Sequence, residues 1–418
     1  MRLSELLTAE WRPALGCTEP AAVAYAAAVA ASQAEGPVRR ARLVLDPRMF
    51  KNCFAVGIPN SGHKSGVRWA LAIGALLPRA DLKLESFRAA TPEIIAGAEA
   101  LLAADAVTVD VDPARTELFV DCVVERAGGR GRAVLEREHT RLTRIERNGV
   151  AAPLPSPAPG AEQDGASPRA ALTRLSLEEL IDLARSAAPD DRARLDEGAA
   201  LNLAIARHGL AAFPPSFAAA EGDGFAGRAG RLVCAGVHAR MSGEDFVVMT
   251  LAGSGNKGIT ASVPLALRGE EGHAPKERVQ EALALSCVMA SLTTHHLGPL
   301  SAVCGGANAA GIGLACGLVL LDGGGPAEIS LAVNNLVGNL AGMVCDGAKI
   351  GCGLKTMTAV DAAFRAASLA RAGVGIPATD GIVGADGLAS LANLGRLAVR
   401  GMAGTDAEIL EIMRAKLR

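Results

Sequence analysis

Aromatic residues make up only 3% of this 418-residue chain, and charge is nearly balanced, with 42 basic against 44 acidic residues. The first scarcity argues against an aromatic-rich β-sandwich. The second leaves no electrostatic footprint for nucleic acid, and no Lys/Arg block stands out to supply one. An apolar run of signal-peptide length is also missing from residues 1–10, which carry early acids, so the expectation is a cytoplasmic protein. One segment, 301–321, is apolar enough to raise the question of a membrane span. Asn308 and several glycines interrupt it and no aromatic or basic anchors flank it, so it is expected to be a buried helix of a soluble protein. There is no C-x-x-C pair, no zinc-type ligand spacing and no lysine in a pyridoxal phosphate motif.

What is abundant is small and apolar. Hydrophobic residues reach 50%, with 48 glycines and long alanine tracts, a composition for helices packed closely through small side chains. The length exceeds what one core usually supports, so two domains are expected. Residues 1–150 read as an α+β domain. A short amphipathic helix opens it, and Thr18-Glu19-Pro20 starts an Ala-rich helix to about Gln33, because Thr caps while Glu and Pro suit a first turn. Short β-like runs follow at 41–45, 54–58, 107–111, 118–124 and 133–137, interleaved with helical stretches at 66–77 and 91–103. Residues 151–171 concentrate Pro, Gly, Ser and Ala without periodicity and read as a linker or surface excursion. From 172 to 418 the pattern is mainly α-helical, with runs at 177–186, 278–292, 329–344 and 359–371 and a strand signal at 245–251.

Nine cysteines are scattered along the chain, an odd number that in a cytoplasmic protein points to free, metal-bound or catalytic thiols rather than disulfides. Cys304, Cys345 and Cys352 each stand against or near glycine, where close backbone approach suits a thiolate-held cluster. Cys345 and Cys352 are seven residues apart (352 − 345), which on an unbroken helix separates them by ~10 Å. Gly347, Gly351 and Gly353 make a bent segment the better expectation. On spacing alone, buried structural cysteines remain an equal alternative. Cys17, in Gly16-Cys17-Thr18-Glu19-Pro20, precedes a helix start where the positive dipole end favours thiolate.

Two glycine-rich turns stand between a strand and a helix. Residues 57–65 miss the P-loop pattern by one inserted residue, His63, but such a nest with Asn60 and Ser61 suits a carboxylate. The turn Gly253-Ser254-Gly255-Asn256-Lys257-Gly258 has the same character. His295 and His296 stand near a helix end and are expected to cap or pack.

Taken together, Gly16-Cys-Thr-Glu-Pro20, Lys51-Asn52 with Gly57-Ile-Pro59, Gly253-Ser-Gly-Asn256, Cys304-Gly-Gly306, Cys345-Asp-Gly-Ala-Lys349 and Gly351-Cys352-Gly353 resemble the L-cysteine desulfidase family, which is related to the α subunit of iron-sulfur L-serine dehydratases. The resemblance covers nearly the whole chain, and its most specific part is the ordered trio with separations of 41 (345 − 304) and 7 (352 − 345). It implies that Cys304, Cys345 and Cys352 hold a 4Fe-4S cluster with one iron lacking a protein ligand, and that Cys17 is the catalytic base. The implied activity is a lyase reaction, β-elimination from L-cysteine to pyruvate, ammonia and hydrogen sulfide. For the substrate carboxylate the candidates are Ser254, Gly255 and Asn256, then Asn60 and Ser61; for the α-ammonium group, Glu19. Lys51, Lys257 and Lys349 are candidate counter-charges. Residues 408–418 contain no cysteine to cap the fourth iron. Two alternatives stay open: dehydration of L-serine or another β-substituted amino acid, and a non-catalytic iron-sulfur or thiol redox sensor. The expected partner is a small amino acid, with neither nucleic acid nor membrane, and a homo-oligomer is compatible with the sequence.

Overall fold

A computed structural model describes residues 1–155, 168–218, 224–272, 274–298 and 301–416. Most of the linker expected at 151–171 therefore lies outside the described residues. The fold is mixed α/β, with a sheet-containing N-terminal region followed by a helical one.

The chain opens with α1 (Leu3–Glu10), β1 (Trp11–Leu15) and α2 (Thr18–Ala31). Every residue of α2 is buried, as a helix apolar on all sides must be. Next come β2 (Val38–Leu45), α3 (Pro47–Cys53), α4 (Val67–Leu76), α5 (Pro92–Ala103), β3 (Val107–Val111), β4 (Phe119–Arg126), β5 (Gly129–Glu136), β6 (Leu142–Arg147) and the two-residue β7 (Val150–Ala151). The sheet order is β3-β2-β4-β5-β6-β7, parallel between β2 and β3 and antiparallel elsewhere. Helices α2 and α4 pack on it, and Leu43, Leu45, Val120, Cys122, Val124 and Leu135 fill the core between.

The strand expected at 54–58 does not form. Asp46 caps α3 by accepting from the amides of Arg48 and Met49, and Pro47 stands at its first position, so the chain is helical through Cys53. Beyond it, the Gly57 amide donates to the Met241 carbonyl (2.8 Å) and the Ile58 amide to the Lys64 carbonyl (2.9 Å), which leaves no ladder for a neighbouring strand. Strand β1, which the sequence reading leaves out, pairs antiparallel with β8 (Val247–Leu251), in register Trp11↔Leu251 to Leu15↔Val247. Pro13 is tolerated because both members of a two-stranded ribbon are edges.

The helical region comprises α6 (Pro168–Leu172), α7 (Leu177–Arg185), α8 (Pro189–Ala211), α9 (Pro215–Ala218), α10 (Phe225–Ser242), then β8, α11 (Gly255–Glu270), α12 (Lys276–Leu297), α13 (Asn308–Leu321), α14 (Pro326–Leu340), α15 (Cys352–Arg371), α16 (Gly387–Arg396) and α17 (Ala403–Ala415). All of α13 is buried, packed by α11, α12, α14 and α15. It belongs to the segment whose hydropathy raised the membrane question, and among the described residues no helix is long and apolar enough to cross a membrane. The two cores do not follow chain order. Leu3, Leu6, Leu7, Trp11 and Cys17 belong to the helical core, and Leu410 of α17 belongs to the sheet core.

Candidate active site

Cys304 and Cys345 lie on two short extended segments that meet at an antiparallel bridge between Val303 and Val344. The Cys304 amide donates to the Met343 carbonyl (2.8 Å) and the Cys345 amide to the Ala302 carbonyl (2.7 Å), so backbone pairing sets their relative positions. Cys352 begins α15, with its Sγ 3.6 Å from the Gly347 carbonyl after the bend that Gly347 makes at φ +95°. Burial, with the neighbouring Cys345 and Cys352, pushes the Cys304 thiol up to about 12. Burial also raises Cys352, an effect to which Cys345 adds. Cys345 and Cys352 thus both neighbour Cys304. Lys355 compensates from α15: it donates to the Val344 carbonyl (2.8 Å) and pairs with Asp346, and its charge lowers both Cys304 and Cys352.

Among the described residues, no three His, Cys, Asp or Glu side chains converge as ligands of one ion. Cys345 and Cys352 both neighbour Cys304, and an iron-sulfur group is held by thiolates of this kind. The donor set, soft and all sulfur, fits the same group.

Cys17 is the N-cap of α2 and is 3% exposed. Its Sγ–H donates to Glu19 Oε2 (2.8 Å), which also accepts from the Thr18 hydroxyl (3.0 Å). Burial and the Glu19 charge raise the thiol above its ordinary range, while Arg240 opposes them. The dipole argument for a thiolate at this helix start is therefore outweighed in the substrate-free protein. Gly16, at φ +71°, admits the ring of Pro59, which would lie 2.5 Å from an added Cβ, so the 57–59 turn packs directly on the Cys17 loop.

The turn between β8 and α11 faces both groups. Asn256 accepts from Arg240 Nη1 (2.9 Å), whose Nη2 holds the Gly16 carbonyl (2.8 Å). A Cβ on Gly306 would lie 3.9 Å from the Asn256 Cβ and 4.0 Å from the Cys304 Sγ. The Thr18 hydroxyl reaches the Gly253 carbonyl (3.2 Å). Lys257, 5% exposed, donates to the Ala252 carbonyl (2.8 Å) and the Thr294 hydroxyl (3.1 Å). Burial lowers its ammonium to about 7, with Arg169 adding to the effect and Glu10, Glu19 and Cys304 opposing it. Asn256 and Lys257 thus neighbour both the Cys17 loop and the Cys304 loop. Ser254 is the N-cap of α11 and Gly255 its first residue, packed against the Arg240 guanidinium.

Asn60 and Ser61 are placed differently. Asn60 Nδ2 donates to the Phe87 carbonyl (3.2 Å), and the Ser61 hydroxyl closes its own turn onto the Ile58 carbonyl (2.6 Å). Lys349 pairs with Asp346 beside the cysteines, while Lys51 is buried against Asp406. His295 and His296 contact each other at the end of α12.

Four residues of this neighbourhood carry no sequence motif. Arg169 pairs with buried Glu10 (2.7 Å). His139, in the β5–β6 turn, has a buried Nε2 without a hydrogen-bond partner; burial lowers its imidazole, Glu19 opposes, and Arg169 and Lys257 add to the lowering. Arg240 is the one with a readable signal, a lone cation in the apolar second half of a helix.

A thiol-rich centre thus stands near a polar turn at a helix start. The chain belongs to the serine dehydratase alpha chain family, whose model matches residues 177–411. Over its full length it is similar to UPF0597 protein GSU1527 of Geobacter sulfurreducens, 37% identical over 99% of this chain and 98% of that protein. It is likewise similar to UPF0597 protein TTE0269 of Caldanaerobacter subterraneus, 34% identical over 99% and 98% of the two chains, and to UPF0597 protein YhaM of Shigella sonnei, 36% identical over 98% and 96%.

Proposed function

We propose that the protein eliminates sulfide from L-cysteine, using a 4Fe-4S cluster on Cys304, Cys345 and Cys352 and Cys17 as the base. One observation carries this reading: Asn256 packs beside the Cys304 loop and is tied through Arg240 to the Gly16 carbonyl of the loop bearing Cys17 and Glu19.

An iron-sulfur cluster at that place supplies Lewis acidity toward a soft leaving atom. The remaining chemistry falls to the chain. Glu19 receives the α-ammonium group, and the carboxylate is held by Ser254 with the first-turn amides at Gly255 and Asn256, where the helix dipole favours an anion. Neutralising Glu19 with the ammonium removes a charge that holds the Cys17 thiol up, so substrate entry itself lowers the barrier to the thiolate. Cys17 Sγ then takes the α-proton, the C–H electron pair forms the Cα=Cβ bond, and the Cβ–S bond breaks to release hydrosulfide. The 2-aminoacrylate left behind tautomerises to the imine. Water hydrolyses that to pyruvate and ammonia, so the sum is cysteine plus water giving pyruvate, ammonia and hydrogen sulfide.

The resemblance to the L-cysteine desulfidases supports sulfur as the leaving atom; the family description supports oxygen. Anaerobic protein reconstituted with ferrous iron and sulfide, assayed for pyruvate with L-cysteine and L-serine side by side, separates the two. The expected result is faster turnover of L-cysteine; preference for L-serine makes the protein a dehydratase, and no pyruvate from either defeats the lyase reading.

A further inference from the structure

Lys51 lies far in sequence from the three thiols and is 1% exposed, yet its ammonium reaches two acceptors from distant parts of the chain. One is the backbone carbonyl of Cys345 (2.8 Å), and the other is Asp406 Oδ1 on α17 (2.5 Å). Burying an ammonium is costly unless it is both paired and hydrogen-bonded, and here each acceptor is needed for the other contact to persist. The Cys345 amide is held from the opposite side by the Ala302 carbonyl, so both polar groups flanking this residue's Cα are fixed. Two residues on, a Cβ at Gly347 would lie 2.2 Å from the Lys51 carbonyl oxygen, so the loop also rests on the Lys51 backbone. Asp406 is anchored independently: Arg48 Nε donates to its second oxygen (3.2 Å), and Leu410, one turn further along α17, is buried in the sheet core.

We infer that α17 is a latch on the thiol loop, with Asp406 fixing Lys51 and Lys51 fixing the backbone of Cys345. Lys51 and Asp406 are positioning residues: neither touches substrate, and both act through the placement of one sulfur. Removing the Asp406 charge leaves a buried cation unpaired. Lys51 then turns to solvent, the Cys345 carbonyl loses its donor, and the loop over 343–349 opens more often. The consequence is a cluster that assembles but is readily lost. The inference rests on reading Cys345 as a ligand, although the motion of the loop does not.

The test uses the full-length protein, prepared anaerobically and reconstituted with ferrous iron and sulfide. Asp406→Asn is expected to keep the circular dichroism of the parent, to lose its visible cluster absorbance to a chelator at least tenfold faster, and to show faster hydrogen exchange at 343–349 in the iron-free protein. Asp406→Glu restores both towards the parent, and Arg48→Ala, which removes a partner that is 39% exposed, stays close to it. Lys51→Met, which abolishes both contacts, gives the same phenotype and serves if Asp406→Asn does not fold. Cluster loss and exchange at parental rates in both variants would overturn the latch. If the parent binds no iron, the cluster reading fails on its own, and the exchange measurement still decides whether α17 holds the loop.

Discussion

Cys17 is held as a thiol in the substrate-free protein, buried beside Glu19 and hydrogen-bonded to it. A base works deprotonated, and the folded value lies above the ordinary thiol range, so kcat/KM rises with pH through neutrality into the alkaline region. Glu19→Gln removes a charge that raises the thiol, and the rising limb should move to lower pH while KM increases through loss of the ammonium partner; a pH profile with an unmoved limb would contradict the pairing. His139 gives a separate prediction about stability. Its imidazole is lowered on folding, so it contributes stability that is present above its unfolded value near 6.5 and is lost as pH falls through the lower folded value. His139→Gln should therefore lose less thermal stability than the parent between pH 7.5 and 5, measured as the difference in Tm. A Tm difference equal to the parent's would show that this imidazole is not neutral and buried.

At the scale of elements, Asp46 does more than cap α3. It is 1% exposed and accepts from the amides of Arg48 (2.9 Å), Met49 (3.1 Å) and Phe119 (2.8 Å), tying the helix that carries Lys51 to the sheet. Asp46→Ala should destabilise by about 2 kcal/mol or more, read from the urea midpoint. Gly347→Ala should cost cluster retention, because φ +95° disfavours a side chain and the new Cβ meets the Lys51 carbonyl; iron content after reconstitution checks it. Elements whose signal is local were legible in the sequence. Strand β3 falls at 107–111 as its alternation predicts, and α2 starts at Thr18 where Thr-Glu-Pro places it, although Thr18 is its first residue rather than its cap: Cys17 is the N-cap, and the Thr18 hydroxyl donates to Glu19 and the Gly253 carbonyl. Elements defined by partners were not. Strand β1 carries a proline and exists because β8, more than two hundred residues away, pairs with it, whereas 54–58 has strand composition but spends its amides on Met241 and Lys64. Among the candidate site residues, the trio and Cys17 stood out because each sits in a glycine or helix-start context. Glu10, His139 and Arg169 have no such context, since only the fold sets them around Lys257.

At the scale of the molecule, each end of the chain is committed to the half it does not belong to in sequence. Helix α1 and Trp11 pack into the helical core, and α17 returns to the sheet. The crossing has a functional reading: Cys17 follows directly on a ribbon whose other strand leads to Ser254 and Asn256, so the proposed base and the proposed anion site are built on paired backbones. It also explains why the halves should not act separately, because the candidate base and the candidate cluster ligands come from opposite ends of the chain. The most direct measurement is sulfide and pyruvate released from L-cysteine by the anaerobically reconstituted parent and by Cys17→Ser at equal cluster content. The account predicts that the parent yields the two products in equal amounts and that the variant, with its absorbance intact, is slower by at least about a hundredfold. Equal rates in parent and variant would show that the proton is taken by another group, and a fully loaded parent that releases neither product would show that this centre does not perform the elimination.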